Sequence, residues 1–265
     1  MKIPLKLALF YIVFSILIVS GTAVGGFFAF RYFIDQREQD PNFAITSIEQ
    51  RSSSGQILPT AYLAQLLNLS RDRPTNLYRF NVKAAEEKLR ESPLIQTASI
   101  KKIRPGSIFI EYQLRTPKAV LGDFTNTALD KNGYLIPLEP FFSPKNLPTI
   151  YLGLDQIKWG EPISGLHAEL VLNLMALFSS EPLSNKTPLK QIDVTKASDL
   201  SYGQRQIIVI LKGRADQILR LTPQNYKQEL ANYLVLHPYF KRQKKDYIID
   251  MRIPHHAFIS EAFPH

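Results

Sequence analysis

The residues best suited to metal or acid–base chemistry are five histidines. They stand at positions 167, 237, 255, 256 and 265, and only His255 and His256 are adjacent. Neighbouring residues on a strand point to opposite faces, so this pair cannot chelate one ion from a regular strand. The chain has no cysteine, which excludes a zinc-thiolate site, a cysteine nucleophile and a disulfide framework. The sequence therefore predicts surface histidines, no metal site and no cofactor.

Motifs typical of catalytic sites are absent from the sequence, which has no glycine-rich phosphate loop, no G-x-S-x-G elbow and no H-E-x-x-H. The run Asp130-Lys131-Asn132-Gly133 could begin a calcium loop, but the later ligands, including a bidentate Glu at the twelfth position, are missing. Its residues tolerate positive φ and local side-chain hydrogen bonds, so we interpret it as a β-hairpin turn. We expect a protein that is not an enzyme and has no small-molecule substrate.

The balance of charge argues against a nucleic-acid partner. The chain has 32 Lys and Arg against 23 Asp and Glu, a net charge of +9, which is a mild bias for 265 residues. The densest basic run extends from Lys241 to Lys245. We interpret it as a solvated connection between a helix and a strand; the functional alternative is electrostatic steering of an acidic partner segment.

One segment near the N-terminus is suited to a lipid bilayer. Residues 7–30 carry no charged side chain, and about 20 residues of helix already cover the hydrocarbon core. A cleavable signal peptide is the alternative, because residues 21–23 form a small-x-small pattern. However, the apolar run continues beyond that pattern, and two aromatic residues follow it as interfacial anchors. We expect a retained transmembrane helix over 7–30, a cytoplasmic tail over 1–6 and the bulk of the chain outside the cytoplasm.

The following residues predict a linker over 31–42 and then a small α+β unit over 43–116. Alternation of Phe43 and Ile45 indicates a first strand. The later elements are two helices and two strands: a helix opening at Pro59-Thr60, a helix capped by Asn81, and strands over 97–103 and 107–114, joined by a type II turn at Pro105-Gly106. In the last strand, Ile108, Ile110, Tyr112 and Leu114 share one face.

This order of strand, helix, helix, strand, strand resembles a POTRA domain, a module that holds extended peptides and partner chains beside membranes. Residues 77–121 further resemble the POTRA segment of the FtsQ/DivIB family of bacterial cell-division proteins. The shared features are a Phe-x-Val start, a helix ending in Leu, Pro-x-Ile, a Lys-rich strand, a hairpin Pro and a closing Pro-x-Ala. The corresponding residues are Phe80, Val82, Leu89, Pro93, Ile95, Lys101, Pro105, Ile108, Ile110, Pro117 and Ala119.

The resemblance continues to the C-terminus. The pattern predicts a hairpin over 128–137, strands over 148–151, 191–194, 206–211, 246–253 and 256–263, and helices starting at Ser164 and Thr222. The strand 206–211 is apolar throughout and is predicted to be buried on both faces. The hairpin resembles the family's Asp-x-x-Gly motif, Lys212-Gly213-Arg214 its Gly-Arg, and Ile249-Asp250-Met251-Arg252 its near-terminal Val-Asp-Leu-Arg strand. The chain departs from many relatives at Ile253, where they carry an aromatic residue.

The resemblance implies an α+β fold with one N-terminal transmembrane helix, a βααββ POTRA domain over 43–116 and a mixed α/β "β-domain" with a curved antiparallel sheet over 117–265. The implied function is that of a bitopic scaffold of the divisome in the bacterial cytoplasmic (inner) membrane, which positions FtsB- and FtsL-like partners at the division septum. Two alternatives remain open: a POTRA-bearing component of protein translocation or outer-membrane assembly, which would normally repeat the POTRA unit before a β-barrel, and an exported hydrolase.

The final strand is the predicted partner-binding site. A short strand that ends a sheet leaves main-chain donors and acceptors available, and such an edge can accept an added strand. The family resemblance strengthens this prediction, because relatives bind FtsB at this end of the β-domain. Phe258 would supply selectivity, with Arg252 as a charge-assisted contact to a partner carboxylate. The predicted site consists of Arg252, Ile253, His256, Ala257, Phe258, Ile259 and Ser260.

Overall fold

The computed structural model describes residues 5–143, 146–180, 183, 188–240 and 243–262. Most of the predicted tail, Lys241 and Arg242 of the predicted basic run, and the end of the predicted last strand lie outside this part of the chain. The protein is a mixed α+β structure with an N-terminal apolar helix and one large mixed sheet, as the sequence predicts at this level. It divides into two compact units, Met1–Arg90 with Thr97–Gln113, and Glu91–Gln96 with Leu114–His265.

The first helix, α1, extends over Leu5–Gln39. An 18-residue stretch within Phe14–Gln39 has a mean hydropathy of 1.6, and none of it is buried against the rest of the chain, so α1 is long and apolar enough to cross a bilayer. The helix does not end at Phe30. It continues through most of the predicted linker, because neither Pro nor Gly occurs between Phe30 and Gln39, and Pro41 is the first residue that cannot extend it.

The first unit contains the predicted succession of strand, helix, helix, strand, strand. The elements are β1 Ser47–Ser52, α2 Thr60–Leu66, α3 Val82–Glu91, β2 Ile95–Ile103 and β3 Ser107–Leu114. The sheet has the order β1-β3-β2, with β1 parallel to β3. The first strand begins later than predicted: Pro41–Phe43 form a 3-10 turn, in which the Asp40 carboxylate accepts the backbone N–H of Asn42 at 2.9 Å.

Alternation in β3 is confirmed, since Ile108, Ile110, Tyr112 and Leu114 are all buried and the intervening side chains are more exposed. The predicted cap of α3 is also confirmed: Asn81 Oδ1 accepts the backbone N–H of Ala84 at 3.2 Å. These two features depend on spacing and on local hydrogen bonds, which a sequence displays directly.

The turn between β2 and β3 differs from the prediction. A type II turn would require Gly106 in the left-handed region, but its φ is not positive, and the Arg104–Pro105 peptide bond is cis, which is the feature of a type VI turn. Glycine is required at 106 for a different reason. A Cβ there would lie 2.3 Å from the carbonyl oxygen of Ala44, and the Gly106 carbonyl accepts the N–H of Thr46 at 2.8 Å.

The second unit contains nine strands and two helices among its described residues. The strands are β4 Ala119–Leu121, β5 Thr127–Leu129, β6 Leu135–Pro137, β7 Thr149–Tyr151, β8 Leu189–Asp193, β9 Ile207–Leu211, β10 Gln217–Leu221, β11 Tyr247–Asp250 and β12 Phe258–Glu261; the helices are α4 Leu166–Ser179 and α5 Tyr226–Phe240. The sheet order is β12-β11-β10-β9-β8-β7-β4-β5-β6. The prediction of an antiparallel sheet is wrong: β4 with β7, β7 with β8 and β10 with β11 are parallel pairs.

The predicted hairpin forms between β5 and β6. Gly133 has φ +86°, and Asp130 Oδ1 accepts the N–H groups of Asn132 and Tyr134 at 2.8 and 2.9 Å. Asp130 is itself buried and forms an ion pair with Arg115 at 3.1 Å. The aspartate that could have begun a calcium loop therefore organises the turn instead.

Helices α4 and α5 cover one face of this sheet, where their Leu174 and Leu230 share a core with Val209, Leu219 and Ile249. The opposite face is less protected. The prediction that β9 is buried on both faces is wrong for this reason, since its Ile208 and Ile210 are only half-buried. The prediction that Leu166 faces the core is also wrong: it is the first residue of α4 and is half-exposed.

Candidate partner-binding site

The last strand, β12, forms one end of the large sheet. It pairs antiparallel with β11 on one side, and no strand of the described chain pairs with its other side. Its residues are all exposed. An uncovered edge of this kind presents main-chain groups to a strand from another chain.

The register identifies which main-chain groups are available. Antiparallel residues alternate between pairs that exchange hydrogen bonds and pairs whose N–H and C=O point away from each other. Ala262 donates to the carbonyl of Asp246 at 2.8 Å, and Ile259 lies opposite Ile249. The Asp246–Ala262 pair is therefore of the hydrogen-bonded kind. Of the pairs that follow, the second, Ile248–Ser260, is again hydrogen-bonded, whereas the third, Ile249–Ile259, is not. The N–H of Ile259 therefore faces the open edge.

Phe258 and Ile259 lie on opposite faces of the edge. Ile259 shares the helix-covered face with its buried neighbour Ile249 and is 47% exposed, whereas Phe258 lies beside Asp250 on the other face and is 56% exposed. The ring of His256 stacks on that of Phe258 with a centroid distance of 6.4 Å. An added strand would therefore meet an apolar side chain on each face of the sheet.

Arg252 is held within the chain. Its Nε and Nη2 donate to the two carboxylate oxygens of Asp250 at 2.9 and 2.7 Å, and its Nη1 donates to the carbonyl of Gly203 at 2.8 Å. Arg220 also reaches Asp250, at 3.2 Å. The guanidinium that the sequence suggests as a partner contact is thus already bonded, and it fixes the segment that leads to β12.

The charges of this cluster are mutually dependent. Burial acts to raise the pKa of Asp250, but the hydrogen bonds from Arg252 and the charges of Arg252 and Arg220 outweigh it, so the pKa lies below its ordinary value. The bond to Asp250 raises the pKa of Arg252. Both groups therefore remain charged at neutral pH. The sequence analysis did not predict a role for Asp250 in the site. Residues two positions apart on a strand share a face, so the spacing of Asp250 and Arg252 could have indicated this ion pair.

A groove of about 660 Å³ lies between α5 and the β11–β12 connection. Gln228, Asn232 and Val235 line it from the helix, and Ile253, Pro254 and His256 line it from the connection. Val235 is 80% exposed and Ile253 is 53% exposed. The groove thus adjoins the open edge and combines apolar surface with amide side chains.

Glu229 lies at the base of this groove and is nearly buried. Burial raises its pKa, although two hydrogen bonds from Thr222, N–H at 2.7 Å and hydroxyl at 2.6 Å, act in the opposite direction. The Thr222 hydroxyl also accepts the N–H of Asn225 at 3.1 Å. Thr222 thus caps a turn, but α5 starts at Tyr226 and not at Pro223 as the sequence predicts. The role of Glu229 depends on a contact seven residues away.

The structure separates the predicted site into three parts. Phe258, Ile259 and Ser260 form the open edge, Ile253, His256 and Ala257 line the groove, and Arg252 turns away to Gly203. Sequence reasoning missed Gly203, for which no local signal exists, since it lies 49 positions from Arg252.

The prediction that the histidines lie at the surface is wrong for His237. His237 is buried and bonded to the Tyr233 hydroxyl at 3.0 Å. His167 lies between the Leu152 carbonyl, 2.8 Å from Nδ1, and the Ser198 hydroxyl, 2.9 Å from Nε2. The carbonyl can only accept, so Nδ1 is the donor there, and in the neutral ring Nε2 accepts from Ser198. Within the described residues, no three metal-ligating side chains cluster.

Comparison of the sequence with known protein families and with curated proteins finds no match.

Proposed function

We propose that this protein is a bitopic membrane scaffold of the FtsQ/DivIB type, which positions FtsB- and FtsL-like partners at the bacterial division septum. In this proposal α1 crosses the cytoplasmic membrane with its N-terminus inside, and both folded units lie outside the cytoplasm. The single observation that carries the proposal is the open β12 edge beside the α5 groove. It offers a partner chain both main-chain pairing and apolar contacts.

The first unit is proposed to be a POTRA domain and the second the family's β-domain with its curved sheet. The three-stranded order β1-β3-β2, with two helices between β1 and β2, supports the first assignment. The family motifs in residues 77–121 and 249–252 support both. A scaffold role also agrees with a chain whose polar clusters, such as Asp250 with Arg252, are engaged in holding segments in place.

Partner binding is proposed to occur by strand addition. The main-chain groups of Ile259 would pair with the incoming strand, and Phe258 would anchor it by burying an exposed ring. Arg252 acts as a positioning residue, because its guanidinium ties the connection before β12 to Asp250 and Gly203. The groove would receive the part of the partner that adjoins the added strand.

Substitution of Ile259 by proline tests this proposal in the full-length chain. The Ile259 N–H does not pair with β11, so proline removes an edge donor without removing an internal hydrogen bond. We expect the variant to retain its unfolding temperature while its affinity for a purified FtsB–FtsL-type complex falls at least tenfold, and a fluorescent fusion to lose its concentration at midcell. Ile259→Val, which keeps the N–H, is the matched control. Unchanged affinity of the proline variant, or uniform envelope fluorescence of the unmodified protein, would overturn the proposal.

A further inference from the structure

Two arginines from distant parts of the first unit converge on Tyr78. The guanidinium carbons of Arg37, near the end of α1, and of Arg104, in the β2–β3 turn, each lie 5.7 Å from the centre of the Tyr78 ring. Arg37 also donates to the Tyr78 hydroxyl at 3.4 Å, and Phe43 packs edge-on against the ring at 5.0 Å. Tyr78 thus has two like charges within 5.7 Å of its ring centre.

These two charges are not neutralised within the described chain, in which neither arginine lies within 4.0 Å of a carboxylate. The two acidic residues that follow Arg37 in the chain are engaged elsewhere. Glu38 pairs with Arg79 at 3.4 Å, and Asp40 caps the 3-10 turn. Two exposed guanidinium groups placed over one ring repel each other, and an anion bound to both would offset that repulsion.

The position of the pair relative to α1 is fixed. The Asn76 amide donates to the carbonyls of Arg37 and Asp40 at 2.9 and 3.1 Å, which binds the end of α1 to the segment that carries Tyr78. Because the helix is continuous, Arg37 lies about 10 Å along its axis beyond Phe30, at 1.5 Å per residue. The headgroup layer of one leaflet is roughly 5–8 Å thick, and side chains on a helix lean toward its N-terminus, here the bilayer side.

We propose that Arg37 and Arg104, arranged around Tyr78, form a clamp for the phosphate of an anionic phospholipid headgroup in the outer leaflet of the membrane that α1 crosses. Guanidinium groups bind phosphate oxygens through paired hydrogen bonds. The inference rests on the proposed membrane-spanning role of α1. It goes beyond that role, because the clamp would hold the first unit at a defined height and tilt above the bilayer.

Lipid retention by the full-length protein tests the clamp. The protein is placed in nanodiscs of equal phosphatidylglycerol and phosphatidylcholine, and the lipids that remain bound after gentle delipidation are counted by native mass spectrometry. We expect enrichment of phosphatidylglycerol in the unmodified protein and a loss of about fivefold for each arginine replaced, the ratio typical of one surface cation beside anionic lipid. The variants are Arg104→Gln and Arg37→Gln/Arg104→Gln. The Arg104 side chain makes no hydrogen bond among the described residues, so we expect Arg104→Gln to leave the first unit folded.

Arg51→Gln/Arg90→Gln is the matched control, because it removes the same charge from two exposed positions of the same unit. Equal loss in this control would overturn the clamp in favour of a net-charge effect. Equal retention of phosphatidylglycerol and phosphatidylcholine by the unmodified protein would overturn the assignment to an anionic headgroup, and unchanged enrichment in both test variants would overturn the site. The scaffold proposal is tested by a different measurement, the titration of the protein with its partner complex, so the two proposals can fail independently.

Discussion

Asp250 binds Arg252 through both of its carboxylate oxygens, at 2.9 and 2.7 Å, although the two residues are only two positions apart. The pair lies where β11 ends, and Arg252 extends from it to the carbonyl of Gly203. The chain direction between β11 and β12 is therefore fixed by a charge-assisted cluster beside the proposed binding edge.

Asp250→Asn should weaken this positioning. The amide keeps the volume but loses the charge, so Arg252 and Arg220 are left without their common anion. We expect the free energy of unfolding to fall by about 1.5–3 kcal/mol, the range for hydrogen bonds to charged groups, and partner affinity to fall although Asp250 is not at the edge. Chemical denaturation and titration of the full-length chain measure both effects. Asp155→Asn, an exposed aspartate, should change neither, and equal affinity for the two variants would contradict the positioning role.

Phe258→Ala should weaken the partner complex by about 1–3 kcal/mol, the range for an interface anchor. The ring is 56% exposed in the isolated chain, so its removal should leave the unfolding temperature nearly unchanged. Ile57→Ala, which removes a similarly exposed apolar side chain of the first unit, is the control and should bind normally. Isothermal titration compares the two variants. A similar affinity of Phe258→Ala and the unmodified protein would remove Phe258 from the binding site.

Glu229 and Asp250 should give opposite pH dependences. Burial raises the pKa of Glu229, so its contribution to stability is full below the unfolded pKa and is lost as pH rises through the folded value. Asp250 has a lowered pKa, so its contribution is present above the unfolded pKa and is lost as pH falls through the folded value.

Thermal unfolding between pH 3 and pH 7 tests both directions. The stability of the unmodified protein should fall as the pH rises above the ordinary glutamate pKa, and we expect a smaller fall for Glu229→Gln. Its stability should also fall as the pH drops toward 3, and we expect a smaller fall there for Asp250→Asn. Parallel curves for Glu229→Gln and the unmodified protein would refute the assignment of the raised pKa to Glu229.

Gly106→Ala should destabilise the first unit. The added Cβ would lie 2.3 Å from the Ala44 carbonyl oxygen, a backbone atom that cannot move aside cheaply. We expect a loss of about 1–3 kcal/mol, as for overpacking in general, measured by protease susceptibility or thermal unfolding. Gly203→Ala is the control, since its Cβ would meet only the Ser201 hydroxyl at 4.0 Å. Equal stability of the two variants would show that the turn adjusts.

The N-terminal helix should remain in the mature protein, with the C-terminus outside the cytoplasm. The apolar face of α1 continues beyond the small-x-small pattern at 21–23, and Phe27, Phe28 and Phe30 are all more than half exposed. N-terminal sequencing of membrane-extracted protein should begin at or near residue 1, and a C-terminal alkaline phosphatase fusion should be active. Sequencing that begins near Val24, or activity only of a cytoplasmic reporter, would contradict this topology.

Features that depend on spacing along the chain were accessible from the sequence. The apolar run of 7–30, the alternation of β3 and the Asp130–Gly133 hairpin turn each arise from neighbouring residues, whose pattern is the physical cause of the element. Strand β10 was missed despite its alternation. It is short and begins with Gln217, a polar residue that is buried because Tyr233 donates to it from α5.

Tertiary structure alone decided which groups act together. Register assigned the Ile259 N–H to the open edge, and folding brought Gly203 to Arg252, and Arg37 and Arg104 to Tyr78. Local patterns predict which face of an element is apolar, because burial repeats with the period of the backbone. They do not predict which charged side chains meet, because such pairs join segments tens of residues apart and depend on how the elements pack.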